Sequence, residues 1–381
     1  MSTEVMSTEV MSTEVVSTEV VSTEVGAEAV ALLGEHGDTQ VPPGHLDLAV
    51  NVHPEPPPGL ARVLAEVDVR AYPDPTRARA AVAERHGVTT EHVLLTNGAA
   101  EAFWALAHAV VRARPHGALA ACVHPSFTAP EAALRSAGVQ VQRVLRRPDD
   151  DFRLHPAEVD PAAGLVVLGR PDNPTGRSEE IAVLRRLLAP DRLLVVDEAF
   201  AEHRGDGLGL SGDRDRLPGL VQVRSLTKVW GAAGLRLGYV VADPAVVRRL
   251  ARVVQPWPVN AIALAVFERL LGPEHRDQVE AERRRRVDAV DSDRDALVPR
   301  LRDLGLQVWA GEAPYLLLRG PVADLRGRLL THGVAVRRCD TFPGLDDTFV
   351  RVAVPSGAGA DVLLDALGAV LGGVLGRDSG R

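Results

Sequence analysis

The sequence predicts an α/β fold, and three observations predict it. The chain has 381 residues, 46% of them apolar, enough to bury the core of two domains or of one large subunit. Short apolar runs bounded by Gly, Pro and polar turns alternate with stretches of helical periodicity along most of its length. Two of those runs end in residues suited to binding: 92–96 opens through Gly98 into a helical stretch, and 193–196 ends in Asp197.

Taken in order, residues 1–25 are five near-copies of Met/Val-Ser-Thr-Glu-Val. A period of five matches neither a helix face nor a strand face, so residues 1–26 are expected to form a disordered tail. A short helix is expected at 27–33 and a strand at 46–50. The Pro-rich connector 51–59 then leads into a helix over about 59–67. Tyr72-Pro73-Asp74-Pro75 is a turn by its prolines. A helix over about 75–87 and the strand at 92–96 follow. Further strands are read at 118–123, 165–168, 193–196, 219–225 and 237–242. One long helix is expected over about 260–303, with Arg283–Arg286 as a solvated face bracketed by Glu280, Glu282 and Asp288. The last segment alternates strands (307–309, 315–318, 334–337, 349–352) with helices near 321–332 and 359–372, a smaller α/β unit. Gly207-Leu208-Gly209-Leu210-Ser211-Gly212 has the spacing of a dinucleotide fingerprint. No strand leads straight into it and Pro218 blocks a long helix, so it reads as a loop.

The chemistry gathers around Ser225-Leu226-Thr227-Lys228. Lys228 is the single lysine among 43 basic residues, the rest being arginine. Arginine stays protonated, whereas a lysine amine can lose its proton and condense with a carbonyl. Ser225, Thr227 and Arg236 would place two hydroxyls and a guanidinium around one small anion beside that amine. Asp197, at the end of a buried strand, must be paired, and a pyridinium N–H is a suitable partner. The Gly98-Ala99-Ala100 helix start aims free N–H groups at an anion.

Ser225-Leu226-Thr227-Lys228 followed by Ala233-Gly234-Leu235-Arg236-Leu237-Gly238 resembles the Schiff-base lysine segment of the class I/II aminotransferases, which use pyridoxal 5'-phosphate. The resemblance implies that Lys228 carries the cofactor and that Ser225, Thr227 and Arg236 bind its phosphate, with the amides of Ala99 and Ala100 as a second anchor. Phe127 would stack on the pyridine ring, Asn173 of Asn-Pro-Thr-Gly would bond its phenolic oxygen, and Asp197 would hold its nitrogen. Tyr72 would reach a neighbouring subunit's cofactor phosphate. On the substrate side, Arg351 would grip the α-carboxylate, Arg337 (or Arg338 beside it) a phosphate, and Asn51 would add a further contact.

Several segments are similar to the cobalamin-pathway branch, the threonine-phosphate decarboxylase-like proteins. These are His36-Gly37-Asp38, Asn51-x-x-Pro54, Pro256-Trp257-Pro258-Val259-Asn260, Phe342-Pro343-Gly344-Leu345 and Val350–Val354. His53 stands where that branch usually has Asn. Histidinol-phosphate aminotransferases more often have Pro-Tyr-Asn-Val-Ser in the third segment. Phe200 stands where aminotransferases place a phenol, and the cobalamin branch has Phe there. The implied fold is that of a fold-type I pyridoxal phosphate-dependent transferase. A large domain (61–255) with a mainly parallel seven-stranded sheet joins a smaller α/β domain from residues 27–60 and 256–381, and the active site lies at a homodimer interface.

The implied function is an aminotransferase-type enzyme for a small amino acid, phosphorylated or not, in cobalamin biosynthesis. Threonine-phosphate decarboxylase and histidinol-phosphate aminotransferase are the alternatives. A nicotinamide oxidoreductase would rest on residues 207–212 alone. No apolar run nears the ~20 residues of a membrane span, and no basic-then-apolar start marks a signal peptide. Cys122 and Cys339 have no metal or disulfide-framework spacing. A formal charge of −8 gives no reason to expect a nucleic-acid partner. A cytoplasmic, metal-free enzyme is expected.

Overall fold

The computed structural model describes residues 41–113 and 117–378. The pentad tail, the helix expected at 27–33 and His36-Gly37-Asp38 lie outside these residues.

The large sheet has seven strands: β2 (Val93–Asn97), β3 (Leu119–His124), β4 (Gln140–Leu145), β5 (Leu165–Gly169), β6 (Leu193–Glu198), β7 (Leu220–Ser225) and β8 (Leu237–Ala242). Their spatial order is β2-β8-β7-β6-β5-β3-β4, with only β8 antiparallel to its neighbours. The central strands are apolar on both faces, as a sheet covered on both sides requires. On one side lie α3 (Gly98–Ala113), α4 (Ala129–Ser136) and α6 (Pro244–Ala251), which share a core with Val195, Val221 and Val240. The other side has two separate cores. One is closed by α2 (Thr76–Arg85) and α7 (Ala261–Leu271), the other by α5 (Ile181–Arg185) and the loops around Leu154 and Leu210. A short helix, α1 (Leu60–Glu66), packs beside α7.

A second sheet of five strands has the order β1-β11-β12-β10-β9. Its strands are β1 (Leu46–Leu48), β9 (Gln307–Ala310), β10 (Tyr315–Arg319), β11 (Val334–Arg338) and β12 (Phe349–Ala353), with α9 (Leu325–Thr331) and α10 (Ala358–Asp378) as its helices. β1 pairs in parallel with β11, so the start of the described chain is stitched to its end.

Two expectations are corrected. The helix over 260–303 is broken: α7 ends at Gly272-Pro273, a 3₁₀ turn follows, and α8 spans Arg276–Asp303. Pro273 cannot donate the helical hydrogen bond, so the chain restarts in a new direction. Nor is Arg283–Arg286 a solvated face. Arg283 and Arg286 are buried, and only Arg284 and Arg285 reach solvent. Arg283 donates to the carbonyls of Glu202 (2.6 Å) and Gly205 (2.7 Å), and Arg286 to those of Glu55, Pro56 and Val229. Charge alternation signalled water, yet spacing 283/286 puts those two guanidinia on the inner face, where loop carbonyls satisfy them. Packing also continues past residue 256: Val259, α7, Val279 and Val287 share a core with Leu226 and Tyr239, whereas the small sheet's core takes over at Leu297.

Candidate active site

The carboxyl ends of β2, β3, β5, β6 and β7 open on one cavity of about 350 Å³, the usual binding edge of an open α/β sheet. Ala99, Ala100, Phe127, Asn173, Asp197, Ser225, Thr227, Lys228 and Arg236 line it, and the small sheet contributes Arg337 and Arg351, with Asn51 from the loop after β1. A somewhat larger opening, about 430 Å³ between α1, α2 and α7, holds none of them. Tyr72 lies outside the cavity. The residue is 77% exposed, and its ring stacks on Trp257, itself exposed, at 4.3 Å between centroids.

The anion cradle is built by close backbone approach. The N–H of Gly98 donates to the carbonyl of Arg236 (2.8 Å), joining the start of α3 to the loop after Lys228. A Cβ on Gly98 would sit 2.5 Å from the Arg236 guanidinium, and one on Gly238 would sit 2.1 Å from the Gly98 carbonyl carbon. The second approach, backbone against backbone, admits only glycine. Gly98 also has φ +76°, which other residues rarely adopt. The first amides of α3 carry the positive end of the helix dipole. Opposite them the hydroxyls of Ser225 and Thr227 are 2.6 Å apart and almost fully buried. Two hydroxyls, free helix amides and one guanidinium suit a phosphate dianion.

Lys228 follows β7 by three residues, with its ammonium nitrogen 5.8 Å from the centre of the Phe200 ring. Asp197 comes from the adjacent β6 and accepts the Ala199 N–H at 3.0 Å. Asp197 lines the cavity. Burial pushes its carboxyl up to about 7, helped by the charges of Asp172 and Glu198 and opposed by the Ala199 amide and Lys228. Such a carboxylate suits a cationic ring nitrogen, whose charge would stabilise its ionised form.

The second wall comes from the small sheet. Arg337 and Arg351 are direct cross-strand partners on β11 and β12, so both side chains leave the same face. Arg351 donates to Asn173 Oδ1 (2.7 Å) and to the Ala49 carbonyl (2.6 Å), and its guanidinium lies over the Tyr315 ring. Burial lowers it to about 10. Its Nε and the Asn51 amide nitrogen are buried donors without a partner among the described residues. A buried donor left unmet is costly, so both favour an incoming acceptor. Arg337 donates to Thr341 (2.9 Å) and lies over Phe342. Arg338 turns elsewhere, onto Asp340 (2.7 Å).

Sequence reasoning missed the support beneath Asn173. Asp172, wholly buried, accepts from Ser126 (2.6 Å) and Thr175 (2.9 Å), pairs with Arg146 (2.8 Å), and its carbonyl accepts the Tyr315 hydroxyl (2.8 Å). The Asn-Pro-Thr-Gly turn closes on the small sheet's side as well. A Cβ on Gly311 would sit 2.1 Å from the Gly176 carbonyl oxygen, and the Glu312 N–H donates to that oxygen at 3.0 Å. A carboxylate next to an Asn was the available signal, but apart from Thr175 its partners lie 26 to 143 residues away. Among the described residues no group of His, Cys, Asp and Glu is arranged to hold a metal, and no helix is long and apolar enough to cross a membrane.

A lone amine beside an anion cradle, with a carboxylate and a flat apolar wall, defines an enzyme that handles amines through a phosphorylated aldehyde. The comparisons agree. Residues 46–367 match the family model for aminotransferase class I and II, and the chain belongs to that pyridoxal phosphate-dependent family. It is 42% identical over 330 residues to a histidinol-phosphate aminotransferase of Mycobacterium bovis, covering 84% of this chain and 86% of the relative. It is 32% identical over 368 residues to the threonine-phosphate decarboxylase of Salmonella typhimurium, covering 92% and 96%. The crystal structure of the histidinol-phosphate aminotransferase from Clostridium acetobutylicum superposes with a TM-score of 0.77 at 22% identity, over 86% of this chain and 99% of that one. The fold is that of the fold-type I transferases expected from the sequence.

Proposed function

We propose that this enzyme transfers the amino group of a small phosphorylated amino acid, with Lys228 as the residue that bonds the cofactor and shuttles the proton. The observation carrying this reading is the Arg337–Arg351 cross-strand pair, which faces the same cavity as Lys228. Two guanidinia in one cavity fit a substrate with two anionic groups, a carboxylate and a phosphate.

Pyridoxal phosphate, when bound, supplies an electron-withdrawing ring that accepts the electron pair released at the substrate's α-carbon. The chain's own residues do the rest. Ser225, Thr227, Arg236 and the Ala99 and Ala100 amides hold the phosphate, and Phe127 covers a ring face. Asp197 holds the proton on the ring nitrogen, and Asn173 donates toward the phenolic oxygen while its own carbonyl steadies Arg351. Arg351 grips the α-carboxylate, Asn51 offers its unmet N–H, and Arg337 takes the phosphate. Lys228, whose amine would hold the cofactor, would also serve within the same cavity as the base for the α-proton. The exposed Tyr72–Trp257 stack suits burial against a second copy of the chain, where Tyr72 would reach the partner's cofactor phosphate.

A second reading is decarboxylation of threonine phosphate, the reaction named for the Salmonella relative and a step that would place the enzyme in cobalamin biosynthesis. Phe200 favours it: a ring with no hydroxyl stands 5.8 Å from Lys228. Incubation with L-threonine phosphate separates the two. Amino transfer that needs an added oxo acid supports the first reading, and carbon dioxide release without one supports the second. Oxo-acid-dependent turnover of histidinol phosphate, with none of L-threonine phosphate, would favour the aminotransferase of that name.

A further inference from the structure

We infer that Glu198 and Arg224, a buried pair on the face of the large sheet turned away from the cavity, are positioning residues for Asp197 and set the electrostatic field around it. The inference rests on the cofactor reading above.

Strand geometry makes the connection. Successive side chains on a strand point to opposite faces, so fixing one fixes the direction of the next. Asp197 faces the cavity and Glu198 the other side, and in the parallel register Glu198 lies opposite Arg224. Arg224 in turn precedes Ser225 of the anion cradle. Toward the cavity Asp197 is held by one amide, that of Ala199. Glu198 by contrast accepts from Gln222 (2.8 Å), Arg224 (3.1 Å) and the Leu210 N–H (2.8 Å), all with no solvent exposure of its own. Arg224 also donates to Glu202 (3.0 Å) and to the Gly207 carbonyl. His86 and Tyr239 close the far side, the histidine bonding Ser211 (2.6 Å) and the tyrosine hydroxyl (2.9 Å).

The glycine spacing at 207–212 finds its use here. A Cβ on Gly209 would lie 2.4 Å from Glu198 Oε1 and 2.6 Å from the Arg224 guanidinium. Gly207 and Gly209 both have positive φ (74° and 62°). The loop is a tight cap that seals a charge cluster from water; the dinucleotide spacing is incidental. A sealed charge acts over a longer range than an exposed one. Glu198 is accordingly one of the groups that act on Asp197, together with Asp172 from the turn after β5, Lys228 from the end of β7 and Tyr315 from β10. The charges facing Glu198 are Arg224, Glu202 and, across the turn after β5, Arg170.

A positioning pair that also sets the field has a signature that a purely structural pair lacks: removing its two charges moves the cofactor in opposite directions. The test titrates pyridoxal phosphate into cofactor-free wild-type, E198Q, R224Q and double-variant protein. It then measures the pH midpoint of the loaded protein's visible absorbance change. E198Q keeps the shape of the side chain and removes its charge. It is expected to weaken cofactor binding about tenfold or more and to move the midpoint down by about 0.5 pH unit or more. R224Q is expected to move the midpoint up, and the double variant to return toward wild type while remaining less heat-stable. Where R224Q does not fold, the downward shift in E198Q alone decides the matter. Midpoints that stay put while only the melting temperature falls would overturn the inference, as would shifts of one sign in both variants. A wild-type protein that takes up no cofactor would overturn the cofactor reading and this inference with it.

Discussion

The two walls of the cavity are built differently. The large-sheet wall uses backbone amides, two hydroxyls and single side chains that each leave the end of a strand within a few residues of a turn. The small-sheet wall uses arginines that meet only because β11 and β12 pair in register, and it is tied to the first wall through Arg351 and Asn173. One wall is local in sequence and repeats a shared chemistry. The other is assembled from positions 51, 337 and 351, far apart in sequence. Variants on the first wall should therefore damage every reaction of the enzyme, and those on the second should discriminate among substrates.

The largest effect is expected from K228A, which removes the amine proposed to bond the cofactor. The proton-transfer role alone is worth about 10²–10⁴-fold in kcat, and the fall should be the same whichever substrate is tried. D197N comes next, with a fall of about 10²–10³-fold in kcat, again independent of substrate. It should also flatten the pH dependence of the cofactor-free protein's stability. Asp197 holds its proton to about pH 7 when folded but releases it near 4 when unfolded. Between those values unfolding releases a proton, so this residue's contribution makes stability fall as pH rises, and melting temperatures across pH 4–7 check it. R351Q should raise KM for carboxylate substrates by about 30-fold or more. R337Q should do so only for phosphorylated substrates, and an equal loss on unphosphorylated ones would break the distinction between the walls. The smallest effect is expected for S225A, about three- to tenfold in cofactor dissociation constant, because Thr227 and Arg236 remain.

The same contrast explains what the sequence made legible. Lys228, Asp197, Asn173, Arg236 and the Gly98 helix start could be read because each sits at a strand end beside a turn whose chemistry is local. The small-sheet arginines came from resemblance, and choosing Arg337 over Arg338 needed the β11–β12 register. The Asp172–Arg146–Tyr315 support and the Glu198–Arg224 pair were invisible, because their partners are brought together only by sheet order. Arg283 and Arg286 misled for a related reason: a run of charges does not say which two of four face loop carbonyls. The break at Gly272-Pro273 was written in the sequence and overridden by the periodicity on both sides.

The central claim is that Lys228 bonds pyridoxal phosphate in this cavity, and one measurement tests it directly. The loaded protein is reduced with borohydride, digested, and the modified peptide located by mass spectrometry. Because the chain has a single lysine, reduction should fix one phosphopyridoxyl group per chain on Lys228. Absence of the group, or its attachment to the N-terminal amine instead, would contradict the account.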